Sequence, residues 1–192
     1  MSENDLFHRL FVAIELPDEV RSALAAVQAE WRRTHADVGW VQTQNMHLSL
    51  QFLGDVAAGK AGELAAALDL AAAAAAPFTF EVRGGGTFGS PRVPRVVWIG
   101  VTHCPPLLAL QQQLVLALEA AGFPADRREY HPHLTLGRVR SRHGCDELLE
   151  KVKASADRRI GTVDVRHMAL FRSRLLPQGA EHSVLHCAPL AG

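Results

Sequence analysis

The most informative segment of the chain is Tyr130-His131-Pro132-His133-Leu134-Thr135-Leu136-Gly137-Arg138. After the proline, apolar and polar residues alternate, and in a β-strand the side chains at i and i+2 share a face. Leu134 and Leu136 are therefore expected to point into a core. His133 and Thr135 share the opposite face, about 7 Å apart along the strand. The segment predicts a strand that presents an imidazole and a hydroxyl to a ligand.

The same pattern occurs earlier in the chain, in Met46-His47-Leu48-Ser49-Leu50-Gln51-Phe52-Leu53-Gly54. Here His47 and Ser49 share one face of a predicted strand, with two leucines on the other. His47 and His133 are 86 positions apart, which is close to half of the 192 residues. Two copies at this spacing indicate a duplicated unit. The sequence therefore predicts two half-domains that bring the two histidine strands face to face.

The composition is that of an ordinary globular chain. Of the 192 residues, 48% are hydrophobic and 21% are charged, a balance that allows a core to form without crosslinks. We predict a single domain, residues 1–192, made of two lobes. The formal net charge is zero with neutral histidines, so no global field attracts the chain to nucleic acid or to a membrane. Any affinity for RNA must come from a local cleft.

The sequence carries no pattern typical of a zinc knuckle, a redox motif or a membrane span. Its cysteines, Cys104, Cys145 and Cys187, are scattered and form no CxxC pair. The alanine-rich run at residues 64–76 is interrupted by Asp69 and is too short to cross a bilayer. A signal-peptide pattern is also missing. These features predict a soluble, cytoplasmic protein with no membrane partner and no cofactor. The sequence does not determine the oligomeric state, for which a monomer is the default expectation.

The remaining hydrophobic patterns predict more strands than helices. Helices are expected at about residues 18–33, 59–76, 105–121 and 146–155. Strands other than the two histidine strands are expected at residues 10–16, 38–41, 78–82, 96–101, 160–165, 167–171 and 183–187. Residues 84–86, three glycines, are interpreted as a loop or bulge because they lack the Lys and Ser/Thr of a P-loop. The irregular order of strands and helices predicts an α+β fold with mainly antiparallel sheets.

The two motifs together supply groups for acid-base chemistry. An imidazole has an ordinary pKa of about 6.5, so one histidine can act as a base and the other as an acid near neutral pH. Each such proton transfer typically accelerates a reaction by about 10²–10⁴. The hydroxyls of Ser49 and Thr135 can donate hydrogen bonds to an anionic oxygen. This set suits attack of water on a phosphate diester, and it requires no metal.

The two motifs resemble those of the 2H phosphoesterase superfamily, which is named for two His-x-(Thr/Ser)-x motifs. Within it, the chain is similar to bacterial and archaeal RNA 2′,3′-cyclic phosphodiesterases, once described as 2′-5′ RNA ligases. Residues 9–17, 40–41, 94–100 and 170–173 share the likeness with the motifs. The resemblance implies a bilobal α+β fold with a pseudo-twofold axis. Two mainly antiparallel sheets would face a central cleft, with the helices outside.

The resemblance also implies roles for individual residues. His47 would protonate the leaving 3′ oxygen of a 2′,3′-cyclic phosphate at an RNA end, and His133 would accept a proton from the attacking water. Ser49 and Thr135 would hold the non-bridging oxygens, and the product would be a 2′-phosphate. Arg138 matches a family arginine near the phosphate. The expected partner is RNA with a 2′,3′-cyclic phosphate end or a cyclic nucleotide, and the reverse reaction would be 2′-5′ RNA ligation.

The chain departs from the family pattern at Ser49 and His182, and the orientation of Arg138 depends on the geometry of its strand. Strict alternation puts Arg138 on the face opposite His133, so it reaches the cleft only if the strand twists or ends at Gly137. Ser49 stands where threonine is commoner, which keeps the hydroxyl but loses a methyl that stiffens χ1. His182 stands in the last hairpin where the family often has a tyrosine, which affects contacts to base or ribose.

Two other functions fit the same residues. A metal hydrolase would use His47 and His133 as ligands, although the first motif has no carboxylate in register and the second has only Glu129, beyond Pro132. A non-catalytic protein that binds RNA ends or nucleotides would use the same fold without turnover. Stoichiometric zinc and sensitivity to chelators would favour the first alternative. Tight, phosphate-dependent binding without turnover would favour the second.

Overall fold

A computed structural model describes residues 7–90, 93–124, 129–177 and 179–191. The strands are β1 (Phe7–Ile14), β2 (Val38–Trp40), β3 (Leu48–Ala57), β4 (Phe78–Ser90), β5 (Val93–Val101), β6 (His133–Val139), β7 (Arg159–Val165), β8 (His167–Leu176) and β9 (Gly179–Pro189). The helices are α1 (Asp18–Arg32), α2 (Ala61–Ala73), α3 (Pro105–Ala120) and α4 (Cys145–Ala154). Each helix that the hydrophobic pattern predicts is present, with bounds within a few residues.

The strands form two antiparallel sheets. One sheet has the order β3-β1-β8-β9 and the other has the order β2-β6-β5-β4-β7. Each histidine strand pairs with a strand on the other side of a helix in the chain. In the first half β3 pairs with β1, with α1 between them, and in the second half β6 pairs with β5, with α3 between them. The two histidine strands, β3 and β6, contact each other. The predicted duplicated α+β fold with antiparallel sheets is confirmed.

The helices pack against the sheets in two pairs. Helices α1 and α4 pack together against the sheet that contains β4 and β7, whereas α2 and α3 pack together, with α2 on β8 and β9. In α1 the apolar stripe is buried as its 3–4 residue spacing predicts; it consists of Val20, Leu24, Val27 and Trp31. Each helical layer thus combines one helix from each half of the chain.

A continuous hydrophobic cluster joins the two halves. It includes Leu10 and Leu48 from the first half and Ile99 and Leu134 from the second, and all four side chains are almost fully buried. Burial of this apolar surface stabilises the contact between β3 and β6. The single domain of residues 1–192 stays a prediction, and this shared cluster supports it.

The three glycines at residues 84–86 lie inside strand β4 rather than in a loop. The pairing of β4 with β5 shifts register between Val82 and Gly85, which is a β-bulge. A Cβ atom on Gly86 would lie 2.1 Å from the ring of Trp98, so only glycine lets that ring lie against the strand. The bulge interpretation is therefore right and the loop interpretation is wrong.

Candidate active site

A β-bulge in strand β6 sets the orientation of its polar side chains. Thr135 pairs with Trp98 and Gly137 pairs with Val97, which leaves Leu136 unpaired between them. An extra residue of this kind interrupts the alternation of a strand and turns the following side chain to the other face. Leu136 and Gly137 are consequently both buried, although they are consecutive.

The bulge resolves the position of Arg138. Strict alternation predicts that this side chain points away from His133, but after the bulge it is exposed on the face that carries Thr135. Arg138 and Thr135 line the same cavities, and the charge of Arg138 contributes to a lowered pKa of His133. Arg138 therefore reaches the cleft through the bulge, and the strand continues to Val139 rather than ending at Gly137. A bulge was not among the sequence-based expectations.

Strand β3 carries the same bulge at the equivalent position. Leu50, 86 residues before Leu136, has no partner in β1; the flanking register pairs are Ser49 with Ala13 and Gln51 with Val12. The burial pattern from Leu48 to Phe52 repeats that from Leu134 to Arg138. Phe52 is thus the counterpart of Arg138, and its side chain is 55% exposed. The duplicated scaffold presents an aromatic ring from one half and a guanidinium from the other.

The imidazole of His47 is fixed by two hydrogen bonds. Its Nδ1 lies 2.7 Å from the carbonyl oxygen of Asn45, and because a carbonyl only accepts, Nδ1 carries the proton. In the neutral ring, Nε2 then accepts a hydrogen bond from the hydroxyl of Ser49 across 3.0 Å. The polar pair that the first motif predicts is a direct contact in the structure. This tautomer directs the Nε2 lone pair toward the Ser49 hydroxyl.

The imidazole of His133 is held by the same device. Its Nδ1 donates to the carbonyl oxygen of His131 across 2.7 Å, so Nε2 is the nitrogen that can exchange a proton with a ligand. His131 thus supports the imidazole of His133 through its main-chain carbonyl. Its own ring lies 3.5 Å from the carboxylate of Glu129.

Aromatic side chains surround both imidazoles. The ring of Phe11 stacks on His47, with centroids 4.7 Å apart, and His182 meets His47 edge-on at 5.5 Å. On the other side, the ring of Phe88 meets His133 at a centroid distance of 4.7 Å and an angle of 89°. Phe11 is therefore packed in the wall of the site, where it contacts a predicted catalytic ring.

This packing lowers the pKa values of both histidines. Burial lowers the pKa of His47 to about 4, against the opposing effect of the hydrogen bond to Asn45, and the charges of His182 and His133 lower it further. Burial also lowers the pKa of His133, and the charge of Arg138 adds to that effect. Both rings are therefore neutral at pH 7 in the free protein.

Two adjoining cavities meet between the histidines. A larger cavity of about 760 Å³ is lined by His47, and a smaller one of about 610 Å³ is lined by His133. Four residues line both cavities: Ser49, Phe52, Thr135 and Arg138. The structure thus brings together the five residues that the sequence singles out. Two hydroxyls and a guanidinium lie between two imidazoles, an arrangement that can bind a tetrahedral anion.

Sequence reasoning missed several features of this site. Tyr130, just before the second histidine motif, donates its hydroxyl proton to the carbonyl oxygen of Ser49 across 3.0 Å and so connects the two histidine segments. Phe52 also went unnoticed, although comparison of the two motifs at an offset of 86 would have paired it with Arg138. Trp40, which the sequence does not assign to the site, is half-buried and lines the larger cavity.

The described residues contain neither a metal-binding cluster nor a membrane-spanning helix. Within residues 7–90, 93–124, 129–177 and 179–191, no three His, Cys, Asp or Glu side chains gather in a way that could hold a metal. In the same ranges, no helix combines the length and apolar character needed to cross a membrane.

Comparison with known proteins identifies the family. Residues 16–175 match the family model of the 2′-5′ RNA ligase superfamily. The chain belongs to this superfamily. A curated relative from Methanothermobacter thermautotrophicus, named RNA 2′,3′-cyclic phosphodiesterase, is 33% identical over 89% of this chain and 92% of its own length. The superfamily assignment confirms the resemblance inferred from the two histidine motifs.

Two solved structures have the same architecture. The protein TT0787 of Thermus thermophilus superposes with a TM-score of 0.77 at 31% identity, covering 96% of this chain and 98% of its own. E. coli LigT complexed with 3′-AMP superposes with a TM-score of 0.72 at 27% identity, covering 97% and 99%. The fold is therefore shared with these two proteins along nearly the whole chain.

Proposed function

We propose that this superfamily member hydrolyses 2′,3′-cyclic phosphate ends of RNA and leaves a 2′-phosphomonoester. The observation that carries the proposal is the wall shared by the two cavities, where Ser49, Thr135 and Arg138 lie between His47 and His133. The name of the Methanothermobacter relative supports this choice of substrate. A cyclic phosphate diester carries the negative charge and tetrahedral oxygens that these groups are suited to bind.

The two imidazoles would divide the proton transfers. His133 accepts a proton from water through Nε2 while the water oxygen bonds to phosphorus. The bond from phosphorus to the 3′ oxygen breaks, and the 3′ oxygen takes a proton from Nε2 of His47. The products are a 2′-phosphomonoester and a 3′ hydroxyl. The proton gained by His133 and the proton lost by His47 balance, and exchange with solvent resets the pair.

The low pKa of His47 is compatible with its role as the acid. A general acid must be protonated, and in the free protein burial and neighbouring charges keep this ring neutral at pH 7. A bound phosphate brings a negative charge into the cavity, which favours the charged form of the imidazole and raises its pKa. His47 is thus protonated, and able to donate its proton, at the time when substrate is present.

The hydroxyls and the guanidinium would stabilise the charge that develops on phosphorus. In the free protein the Ser49 hydroxyl donates to Nε2 of His47. Once Nε2 is protonated it no longer accepts, so the hydroxyl is free to donate to a non-bridging oxygen. The hydroxyl of Thr135 would donate to a non-bridging oxygen from the opposite strand. Arg138 would contribute a charge-assisted hydrogen bond.

One chain supplies both the acid and the base, so we infer that a monomer is active. If a 5′ hydroxyl replaced water as the nucleophile, the same groups would join RNA ends through a 2′-5′ bond, with the 3′ oxygen again leaving phosphorus. A cytoplasmic location stays a prediction. Light scattering of the purified protein under assay conditions tests whether the active form is a monomer.

Product analysis tests the proposed function. An RNA oligonucleotide with a 2′,3′-cyclic phosphate is incubated with the protein in excess EDTA, and the end group is identified by ³¹P NMR. We expect a 2′-phosphate in the presence of chelator. A 3′-phosphate would reverse the assigned roles of the histidines. Loss of activity in EDTA with recovery on adding zinc would support a metal hydrolase, and tight binding without turnover would support a non-catalytic binder.

A further inference from the structure

The larger cavity has a strongly positive lining. Arg9, Arg32, Arg138 and Arg140 all line it, and no Asp or Glu does so among the residues that the structure describes. Every ion pair found between described residues involves other arginines, lysines or histidines. Because the whole chain has no net charge, this concentration of guanidinium groups is local.

Two of these arginines lie at the end of strand β6: Arg138 is within it and Arg140 directly follows it. Arg138 and Arg140 are two positions apart, which places them on one face of the extended chain, about 7 Å from each other. The guanidinium of Arg140 lies over Gly39 of β2, where a Cβ atom would be 3.1 Å from its Nε. The absence of a side chain at Gly39 thus leaves the space that Arg140 occupies.

Arg32, at the end of α1, lines the same cavity. Its guanidinium carbon lies 5.6 Å from the centroid of the Trp40 ring, which is a cation–π contact. Gly39 and Trp40 are consecutive in β2, so the guanidinium groups of Arg140 and Arg32 rest on neighbouring residues. Both groups are positioned before any ligand binds, which reduces the entropy lost on binding an anion.

The proposed mechanism indicates which cavity holds the RNA strand. The leaving 3′ oxygen lies at His47 and the attacking water lies on the opposite side of phosphorus, at His133, because the two oxygens are roughly in line. The ribose that carries the 3′ oxygen is therefore on the His47 side. The rest of the strand must then leave through the larger cavity, which His47 lines together with the arginines.

We propose that Arg32 and Arg140 bind the phosphodiester that precedes the terminal nucleotide. The preferred substrate class is then an RNA strand of two or more nucleotides, in preference to a free cyclic mononucleotide. This inference rests on the proposed phosphodiesterase function and adds a second phosphate site to it. Arg138 serves the reacting phosphate, and the pair of Arg32 and Arg140 serves the next one.

Three substrates distinguish binding of the second phosphate from binding of the reacting phosphate. They are a 2′,3′-cyclic mononucleotide, a dinucleotide with the same cyclic end, and that dinucleotide with a neutral methylphosphonate in place of its internal phosphodiester. For the unaltered protein we expect kcat/KM to be about tenfold higher for the charged dinucleotide than for the mononucleotide, the effect of one charge-assisted hydrogen bond. The neutral dinucleotide should lose this preference.

A pair of double variants tests the residues. In Arg32→Ala/Arg140→Ala, the ratio of kcat/KM for the charged dinucleotide to that for the mononucleotide should fall to about one. The slope of log affinity against log salt should also become shallower by about 0.7, the value for one single-strand phosphate contact. Arg33→Ala/Arg142→Ala is the matched control, because it removes the same charge from adjacent exposed positions outside the cavity lining and should keep the ratio.

The outcomes are distinguishable from failure of the proposed function. If no cyclic-phosphate substrate is hydrolysed by the unaltered protein, the phosphodiesterase proposal fails. If the mononucleotide and the charged dinucleotide are hydrolysed equally well, or if the preference persists in Arg32→Ala/Arg140→Ala, the second phosphate site is wrong. A preference that survives the neutral linkage would assign it to base or ribose contacts instead. Turnover of the mononucleotide by the variant shows that it is folded.

Discussion

The hydroxyl of Tyr130 donates a hydrogen bond to the main-chain carbonyl oxygen of Ser49, across 3.0 Å and 81 positions of sequence. This bond joins the segment before the second catalytic strand to the first catalytic strand. Burial raises the pKa of the Tyr130 phenol, so the hydroxyl keeps its proton throughout the pH range of an assay. It is therefore a permanent connection between the two halves of the site.

Replacing Tyr130 by phenylalanine tests this connection. We expect the free energy of unfolding in urea to fall by about 1 kcal/mol, because the Ser49 carbonyl loses a partner. We also expect kcat to fall, because the separation of the two imidazoles is less well fixed. Thr102→Val is the control, since it removes a hydroxyl that bonds the Glu81 carbonyl at 3.4 Å, away from the site. Unchanged kcat in Tyr130→Phe would show that the bond does not position the site.

Gly137 is the residue that lets strand β2 approach the bulge of β6. A Cβ atom there would lie 2.4 Å from Cγ1 of Val38 and 2.9 Å from the Trp40 ring. Gly137→Ala should therefore destabilise the fold by about 1–3 kcal/mol and reduce kcat/KM, because Arg138 follows directly. The measurement is urea unfolding followed by tryptophan fluorescence. Gly62→Ala, where nothing lies within 4 Å, should be neutral or stabilising.

His182 contributes to the low pKa of His47. Its ring covers the edge of His47 at 5.5 Å, and its charge, when present, opposes a second charge on that neighbour. His182→Gln removes the charge of the imidazole and reduces the burial of His47, and both changes raise the pKa of His47. NMR titration of the imidazole signals should show a value above the present one of about 4. His186→Gln, which alters a ring paired with Asp69 instead, should leave it unchanged. A constant value in both variants would contradict the assigned cause.

The pH dependence of the reaction follows from the directions of the two pKa shifts. In the free protein both values lie below 6.5, and catalysis requires His47 protonated and His133 neutral. When the chemical step limits the rate, kcat/KM should therefore fall as pH rises above about 6.5. The bound phosphate raises the pKa of His47, so kcat should fall only at higher pH. A kcat/KM that increases steadily from pH 6 to pH 8 would exclude this assignment of acid and base.

Much of the fold and site could be predicted because alternation in a strand is a strong local signal. The positions of His47, Ser49, His133 and Thr135 follow from leucines placed at every second residue. The repeat of the pattern after 86 residues predicts the duplicated fold and the contact of the two strands. These features depend on short-range periodicity and on one internal comparison, both of which a single sequence contains.

The features that the sequence did not predict depend on contacts between distant residues. The bulges at Leu50 and Leu136 come from the pairing of each strand with its neighbour, and no local pattern marks them. The side of the strand taken by Arg138 depends on one of these bulges. Likewise, an aromatic residue such as Trp40 has the same local pattern whether it fills a core or supports a guanidinium at a cavity.

The rates of three variants test the proposed pair of imidazoles most directly. His47→Ala, His133→Ala and the double variant are assayed under single-turnover conditions on RNA with a 2′,3′-cyclic phosphate end. We predict that each single variant is slower by about 10²–10⁴, and that the double variant is not slower by the product of the two effects, because both groups act in one step. Wild-type turnover in either single variant would contradict the mechanism.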